Sequence, residues 1–233
     1  IVSNNSATKG GGFFITRSRT DFSNSVMNNN YASEYGDAIY IQYPNGSGPS
    51  ISKCAISNNN SGIYLGGDGK VNVDSSNVVS NQYGIFNTNN ANIAYASYNY
   101  WGHSSGPYHP SQNSSGQGDS VNAFVNVTPW LTAPNTDAPP IPAQNLKLDS
   151  QTVTSATFSW DASKIGDLAG YKFYYDTDSS GYPYTNSVDL GNVVTKALTG
   201  LTTGKKYYVA VTTYDTDGNE SWYSKEVAVQ LNN

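Results

Sequence analysis

The sequence has little of what enzymes and nucleic-acid-binding proteins commonly use for their chemistry. Cysteine and methionine occur once each, histidine occurs twice, and only 12% of the 233 residues are charged. The lone Cys54 excludes a disulfide framework within the chain. The 12 lysines and arginines form no run and the net charge is −5, so no nucleic-acid partner is expected. No apolar stretch reaches membrane-spanning length, so no membrane insertion is expected either.

Residues that favour strands and turns dominate what is present. The chain contains 19 tyrosines and 22 glycines, is rich in Asn, Ser and Thr, and shows no convincing amphipathic helix. The aromatic content and the small net charge argue against disorder. We therefore predict an all-β protein. The polar, lysine-poor composition favours an extracellular or cell-surface location.

Residues 1–100 contain an internal repeat with a period in the low twenties, which is the length of one solenoid coil. An offset of 22 gives the pairs Ile51/Val73, Cys54/Ser76, Ile56/Val78, Asn59/Asn81, Gly62/Gly84 and Ile63/Ile85. Upstream, an offset of 24 gives the pairs Val2/Val26, Asn5/Asn29, Gly12/Gly36 and Ile15/Ile39. The two series are out of step, which predicts an insertion near residues 43–49.

The repeated positions predict columns that run along a stack of about four coils. Aliphatic side chains would fill the bore, because equivalent residues on neighbouring strands lie about 4.8 Å apart. The asparagines suit a bend, where Asn tolerates left-handed backbone and its amide bonds along the stack. The glycines suit a second bend that requires positive φ. The pattern resembles the right-handed parallel β-helix family of pectate-lyase-like and NosD-like extracellular repeats.

The repeat stops after Tyr98, and a different pattern follows as far as residue 133. Four blocks occur in order: N-x-W-G, S-G-P, G-D-x-V and P-W-L. They begin at Asn99, Ser105, Gly118 and Pro129. The blocks resemble the terminal motif of many bacterial and archaeal extracellular β-helix proteins, in which this segment closes the C-terminal end of the tube. We expect Trp101 and Trp130 to plug the bore, because the last coil otherwise leaves an open apolar end.

A stiff linker and a β-sandwich are predicted for the rest of the chain. Residues 134–142 hold four prolines. Beyond them, alternating strands are predicted at 145–148, 156–160, 171–175, 193–198, 207–214 and 227–231. Trp160 at the end of a strand, the run L-T-G-L-T-T-G-K-K-Y-Y-V from Leu198, and Tyr207 as a tyrosine corner resemble fibronectin type III domains. The predicted organisation is therefore a β-helix over 1–133, a linker over 134–142 and a type III-like domain over 143–233.

Four aspartates form a candidate Ca²⁺ site in the sandwich. The loop D-T-D-G at Asp215 and Asp217 resembles part of a calcium loop but lacks the later Glu. In a type III topology Asp161 and Asp167 lie at the same end. The alternative is that these aspartates form Asx turns in solvated loops.

The two histidines of the chain lie in the cap, and we interpret both as polar loop residues. The spacing H-x5-H of His103 and His109 is not a recognised metal pattern, and no carboxylate lies between them. A metal site or a general base is the less favoured interpretation.

The resemblance also makes an enzyme activity conceivable, because many parallel β-helix proteins are polysaccharide lyases, hydrolases or epimerases. Lyases need a base near a charge neutraliser, and hydrolases need two or three clustered carboxylates. Asp21 lies close in sequence to Arg17 and Arg19, yet the repeat offsets align no column of acids. No catalytic residue is therefore assigned. If the parent protein is an enzyme, we expect its active site in coils that precede Ile1.

Tyrosines outnumber what a narrow bore can hold, so some must face outwards. Exposed aromatic rings stack on sugars, and Tyr suits recognition surfaces. The candidate carbohydrate-binding residues are Tyr40, Tyr43, Tyr64 and Tyr83. The alternative is that Tyr serves only as a good strand former.

Three functions remain open from the sequence. The first is a non-catalytic part of a secreted or surface-anchored prokaryotic protein, with an elongated β-helix surface for polysaccharide or cell-surface glycan and a type III spacer. The second is the C-terminal part of a polysaccharide lyase or hydrolase. The third is a structural subunit of an extracellular assembly, formed by self-association through the N-terminal β-helix edge.

Overall fold

The computed structural model describes residues 1–42, 48–163, 167–177 and 180–231. These residues form strands and turns without any helix, so the predicted all-β class is confirmed. No segment described is a helix long and apolar enough to cross a bilayer. The chain divides into two compact units, Ile1–Pro139 and Pro140–Asn233. This division falls inside the stretch predicted as a linker, and the predicted domain limits stay a prediction.

The described part of the first unit contains seventeen short strands. Those of the first two coils are β1 (Val2–Ser3), β2 (Ser6–Lys9), β3 (Phe13–Thr16), β4 (Phe22–Ser23), β5 (Val26–Asn28), β6 (Tyr31–Tyr35), β7 (Ile39–Gln42) and β8 (Ser50–Ser52). The following coils contribute β9 (Ala55–Ser57), β10 (Ser61–Gly66), β11 (Asn72–Asp74), β12 (Asn77–Val79), β13 (Tyr83–Asn87) and β14 (Ala94–Tyr95). The cap adds β15 (Pro107–Tyr108), β16 (Gly118–Val121) and β17 (Val125–Asn126).

These strands form three parallel sheets, with one strand of each sheet in every regular coil. The sheet orders are β1-β5-β9-β12, β3-β7-β10-β13-β16-β15 and β4-β8-β11-β14-β17, and β2 pairs separately with β6. Strand β16 pairs with β13, and β17 pairs with β14. The cap therefore continues the ladders by one irregular coil beyond the repeat.

The predicted register is right downstream and wrong upstream. Ile51 pairs with Val73 and Ile63 pairs with Ile85, as the offset of 22 predicts. The upstream offset of 24 is wrong: Val2 pairs with Met27, which is an offset of 25. Ile15 pairs with Ile41, which is an offset of 26. The first coils are longer than the later ones, so no single offset describes them.

At the asparagine bend, adjacent residues adopt the left-handed backbone and form the side-chain bonds along the stack. The left-handed backbone is adopted by Asn4, Asn29, Asn58 and Ser80, with φ between 54° and 61°. The residue that follows each of them bonds along the stack. This asparagine ladder consists of Asn5, Asn30, Asn59 and Asn81, and it ends at Asp119. The predicted column placed Asn29 in the ladder, and the structure corrects it to Asn30.

Close approach, rather than positive φ, explains the glycine column. Gly12, Gly62 and Gly84 have ordinary φ, but a Cβ on each would meet a neighbouring atom at 2.5 to 2.8 Å. The neighbour of Gly84 is the ring of Trp101. Gly36 does have a φ of 68°, but it lies outside the glycine column. In that coil the residue aligned with Gly62 is Ala38. The predicted second bend at these glycines is therefore wrong.

The bore is filled by aliphatic side chains and closed by an aromatic one. Trp101 is fully buried in a core with Ile56, Val78 and Val121, and Trp130 packs against the same core while partly exposed. His109 is also fully buried. Its Nε2 lies 2.9 Å from the Val125 carbonyl oxygen. His109 thus holds the cap together.

The second unit is an antiparallel sandwich of two sheets, with orders β18-β19-β22 and β21-β20-β23-β24. Its strands are β18 (Lys147–Gln151), β19 (Ser155–Ser159), β20 (Leu168–Asp176), β21 (Asn186–Gly191), β22 (Thr195–Thr199), β23 (Lys206–Asp215) and β24 (Val227–Gln230). Trp160 is buried in the core, and Thr202 N donates to the Tyr207 hydroxyl at 2.9 Å, as in a tyrosine corner. Strand β21 was not predicted, because it is a polar edge strand.

Candidate functional site

An aromatic cluster covers part of the outer face of the six-stranded sheet. Four of its side chains lie between inward-facing neighbours in β3, β7, β10 and β13, so strand alternation turns them outwards. The register brings them into one row, and two further tyrosines pack against that row, Tyr35 from β6 and Tyr83 from the start of β13. The outer aromatic cluster consists of Phe14, Tyr35, Tyr40, Tyr64, Tyr83 and Phe86.

The rings of the row stack on each other along the axis of the β-helix. Ring centroids are 5.2 Å apart between Phe14 and Tyr40, 5.7 Å between Tyr40 and Tyr64, and 5.4 Å between Tyr64 and Phe86. Tyr35 stacks on Tyr64 at 4.6 Å. Such offset contacts stabilise aromatic pairs by about 0.5–1.5 kcal/mol each beyond the buried area. The row is therefore a continuous band of aromatic contacts.

The members of the cluster differ in how much they offer to a partner. Tyr40 is only 4% exposed, while Tyr35 is 41% and Tyr83 is 39% exposed. Burial, and then the neighbouring Tyr35 and Tyr40, raise the pKa of Tyr64 above its ordinary value. Like any tyrosine whose pKa is at or above the ordinary value, Tyr64 keeps its hydroxyl proton at neutral pH and can donate a hydrogen bond. Of the predicted residues, Tyr40 supports the surface and Tyr83 reaches it.

One charged pair lies beside the aromatic rings. Lys9 Nζ is 5.7 Å from the centroid of Tyr35 and 6.0 Å from that of Tyr40. The same ammonium group is 3.4 Å from Glu34 Oε2. The site thus combines aromatic surface, tyrosine hydroxyls and one ion pair, which are groups able to stack on a sugar ring and bond its hydroxyls.

Sequence reasoning found part of this cluster. It named Tyr40, Tyr64 and Tyr83, which the structure brings together, whereas Tyr43 lies outside the described residues. It missed Phe14, Tyr35 and Phe86, along with Lys9 and Glu34. Strand alternation could have indicated Phe14 and Phe86, because each follows an inward-facing residue of its strand and must therefore face outwards.

Two of the four aspartates of the candidate Ca²⁺ site, Asp161 and Asp215, use their carboxylates in other hydrogen bonds. Asp215 is buried, and its carboxylate accepts bonds from the backbone N–H groups of Asp217 and Asn219. Asp161 accepts a bond from the Asn145 side chain. No group of three or more His, Cys, Asp or Glu able to hold a metal occurs in the described residues. The Ca²⁺ site stays a prediction without a supporting geometry, and Asp215 has the contacts of an Asx turn.

A buried carboxyl group lies at the end of the asparagine ladder. Burial is the main cause that raises the pKa of Asp119 to about 8, although hydrogen bonds from Asn81 and Ser80 act in the opposite direction. Asp119 lines a polar cleft of about 310 Å³, next to Trp101 and Gln117. The cleft residues, all within the described ranges, include no second carboxylate. The pair of carboxylates that glycoside hydrolysis requires is therefore missing from this cleft.

A second aromatic cluster lies on the sandwich, around Tyr223. Its ring centroid is 4.9 Å from Tyr174, 5.1 Å from Tyr184 and 5.0 Å from Trp222. The Tyr174 hydroxyl donates to Glu220 at 2.7 Å, and the Tyr184 hydroxyl donates to Glu226 at 2.7 Å. Burial and these carboxylates raise the pKa of both tyrosines. The hydroxyls are thus fixed donors within the cluster.

Comparison with known proteins identifies both units. Residues 1–115 match the family model "Right handed beta helix region", and residues 139–230 match "Fibronectin type III domain". The chain is accordingly an all-β protein in which a right-handed parallel β-helix of about four turns is followed by a fibronectin type III domain. The predicted resemblance to both families is confirmed.

Several solved structures are similar to a part of this chain. The structure titled "Myokine structure" is 20% identical over 40% of this chain and 99% of that chain, with a TM-score of 0.35. The third fibronectin III domain of the human KIAA0343 protein is 23% identical over 40% of this chain and 83% of its own, with a TM-score of 0.35. The FN1–FN3 domains of chicken CNTN1 are 14% identical over 41% of this chain and 32% of theirs, with a TM-score of 0.37. No curated protein matches the chain.

Proposed function

We propose that this chain is a non-catalytic, carbohydrate-binding part of a secreted or cell-surface prokaryotic protein. The β-helix presents an elongated surface to a polysaccharide or cell-surface glycan, and the type III domain acts as a spacer or connector. The observation that carries the proposal is the outer aromatic cluster. It spans four consecutive strands of one sheet, β3, β7, β10 and β13.

The geometry of the cluster suits a repeating, weakly polar polymer. The apolar faces of sugar rings pack against aromatic surface, and their hydroxyls need donors and acceptors nearby. Tyr35 and Tyr83 supply exposed rings, and the pair of Lys9 and Glu34 supplies charged hydrogen-bonding groups. Because each coil repeats the ring of the previous coil, successive sugar units would meet similar surroundings.

The surroundings of the acidic residues near the cluster support a binding role over catalysis. Glu34 is held by Lys9. The buried Asp37 accepts backbone N–H bonds from Ala32 at 2.8 Å and from Ser61 at 2.6 Å, so its carboxylate holds two segments together. Asp37 is thus committed to backbone bonds, and Glu34 by itself does not make the pair of carboxylates that glycoside hydrolysis requires.

The proposal is tested by binding to insoluble and soluble polysaccharides with the variant Tyr35→Ala/Tyr83→Ala. We expect this variant to lose most of the binding of the wild-type chain, because it removes the two most exposed tyrosine rings of the cluster. The matched control is Tyr31→Ala/Tyr108→Ala, which removes two exposed tyrosines that lie outside the cluster. Equal binding by both double variants would overturn the proposal.

A second proposal is self-association through strand edges of the β-helix. Strands β1, β2, β3 and β4 each form an edge of their sheet in the described residues. Such edges can pair with another β-helix end. Sedimentation velocity at increasing concentration tests it. Concentration-dependent dimers that disappear when a proline replaces Ala7 in β2 would support the proposal, and a monomer at every concentration would contradict it.

A further inference from the structure

A cleft on a different sheet of the β-helix has the character of an anion site. It has a volume of about 430 Å³ and lies along β8, β11 and β14. Two cationic side chains, Arg19 and Lys70, line it, together with the aromatic ring of Tyr95. Its lining residues, all of which the structure describes, include no carboxylate. Asp21 is not a lining residue but pairs with Arg19, so the cleft and this partner together carry two positive charges and one negative charge.

Hydrogen bonds fix one wall of the cleft. Arg19 Nε donates to Asp21 Oδ1 at 3.1 Å, and the same oxygen accepts the backbone N–H of Ser50 at 2.8 Å. The bond from Ser50 and the bond from Arg19 lower the pKa of Asp21, so the carboxylate stays charged and keeps the arginine in place. The pair uses Nε, and a guanidinium carries further N–H donors. Arg19 is therefore oriented before any ligand arrives.

Backbone contacts between coils fix the other lining segments of the cleft. Asn72 N donates to the Pro49 carbonyl at 3.1 Å, and Tyr95 N donates to the Val71 carbonyl at 3.2 Å. Gly48 approaches Lys70 so closely that a Cβ would lie 2.3 Å from the Lys70 carbonyl oxygen. The carbonyl that accepts the Tyr95 N–H belongs to Val71, the residue after Lys70, so Lys70 and Tyr95 come from adjacent coils of the same cleft.

Tyr95 adds an exposed aromatic surface to the two charged residues of the cleft. Its side chain is 57% exposed, and the neighbouring Ile93 is 39% exposed. A cleft lined by one exposed tyrosine and two basic residues matches a ligand that has both an apolar ring face and an anionic substituent. A free small anion would use the cations but would leave the aromatic surface empty.

From this arrangement we infer that the cleft binds an acidic saccharide, in which a carboxylate or sulfate pairs with Arg19 and Lys70 while the sugar ring stacks on Tyr95. The inference goes beyond the proposed function, because it assigns a second site and a charge class of ligand. The cleft is lined by no member of the outer aromatic cluster, so each site can fail without the other.

The test measures affinity for two acidic probes, a homogeneous oligouronate and a sulfated oligosaccharide, and for an uncharged oligosaccharide of equal length. Isothermal titration of the full chain is compared with that of Arg19→Gln/Lys70→Gln and of Tyr95→Ala. The matched control, Lys205→Gln/Lys225→Gln, removes two exposed lysines of the sandwich and therefore makes the same change in net charge. Circular dichroism melting verifies that each variant is folded.

We expect the wild-type chain to bind at least one acidic probe and to bind it less well as salt increases. The two-cation variant should lose about ten-fold or more in affinity, since two charge-assisted contacts disappear. Tyr95→Ala should weaken binding to the acidic saccharide but leave binding of inorganic sulfate unchanged. The control should bind as the wild type does, and Tyr35→Ala/Tyr83→Ala should also retain this affinity.

Three results would overturn the inference. The first is absence of wild-type binding to both acidic probes. The second is an equal loss in the two-cation variant and in its control, which would mean that only net charge matters. The third is equal affinity for the uncharged oligosaccharide, which would mean that the cations take no part. Preference for the uronate or for the sulfated probe decides which anionic group the cleft accepts.

Discussion

The asparagine ladder predicts that a single buried amide contributes strongly to the stability of the β-helix. Asn59 is 2% exposed and joins three coils. Its Oδ1 accepts the backbone N–H of Asn30 at 3.0 Å. The two N–H groups of its Nδ2 share three acceptors, which are the carbonyl oxygens of Met27 at 3.1 Å and Ser57 at 2.8 Å, and Asn81 Oδ1 at 3.0 Å. Replacement by alanine removes all of these bonds at once.

The cost of Asn59→Ala follows from the groups that lose a partner. Leaving the Asn30 N–H unsatisfied costs about 1–3 kcal/mol, and each further lost bond costs about 0.5–1.5 kcal/mol. We therefore expect the free energy of unfolding of the β-helix to fall by about 3–5 kcal/mol, a large part of the 5–15 kcal/mol that is typical of a folded protein. The adjacent Asn60 is exposed, so Asn60→Ala should change stability by less than about 0.5 kcal/mol.

Hydrogen exchange measured by mass spectrometry checks this prediction, because it reports on each unit separately. Peptides that contain β5 and β9 should exchange more than about 100-fold faster in Asn59→Ala than in Asn60→Ala. Peptides from β23 of the sandwich serve as the internal reference. Equal protection of the two variants in β5 and β9 would refute the idea that the ladder holds the coils together.

Three further predictions concern other buried groups. Trp101→Ala should destabilise the β-helix by about 3–5 kcal/mol in urea unfolding, because it empties the closed end of the bore; an effect below about 1 kcal/mol would contradict this role. The pKa of Asp119 is raised to about 8 in the folded protein. The protonated carboxyl group therefore contributes its full stability below the ordinary pKa of aspartate, and this contribution is lost as the pH rises through about 8. Asp119→Asn should therefore flatten the fall in melting temperature between about pH 4 and 8, and an unchanged pH profile would contradict this. Burial by itself would raise the pKa of Glu220, but hydrogen bonds from Lys172, Thr212 and Tyr174 lower this pKa overall. Glu220→Gln should therefore reduce the free energy of unfolding by about 1–3 kcal/mol at pH 7, and by less in acid, where the wild-type carboxylate becomes protonated. A reduction that grows in acid would contradict the reasoning.

The sequence predicted the fold well where coil length is constant. From Ile51 to Ile85 the offset of 22 holds, and the paired residues match. Upstream, Val26 and Met27 are both apolar, and Asn29 and Asn30 are identical, so a constant offset cannot choose between them. For Ile15 the error of two residues kept the side chain on the inward face, because strand alternation has a period of two.

The candidate site was harder to predict than the fold, because it depends on register. Tyr64 and Phe86 become neighbours only when β10 lies beside β13 in the observed alignment. Tyr35 joins them from β6, a strand of another sheet, and no repeat offset indicates that contact. The ion pair of Asp21 with Arg19 is local, yet its role in the cationic cleft depends on Ser50, which lies one coil away.

The most direct test of the proposed function is native affinity electrophoresis in gels cast with neutral and acidic polysaccharides, each stained afterwards for cleared zones. We predict that at least one polysaccharide retards the wild-type chain without clearing and that Tyr35→Ala/Tyr83→Ala migrates faster than Tyr31→Ala/Tyr108→Ala in that gel. A cleared zone would contradict the non-catalytic role. Unchanged mobility in every gel would contradict carbohydrate binding and leave self-association as the better proposal.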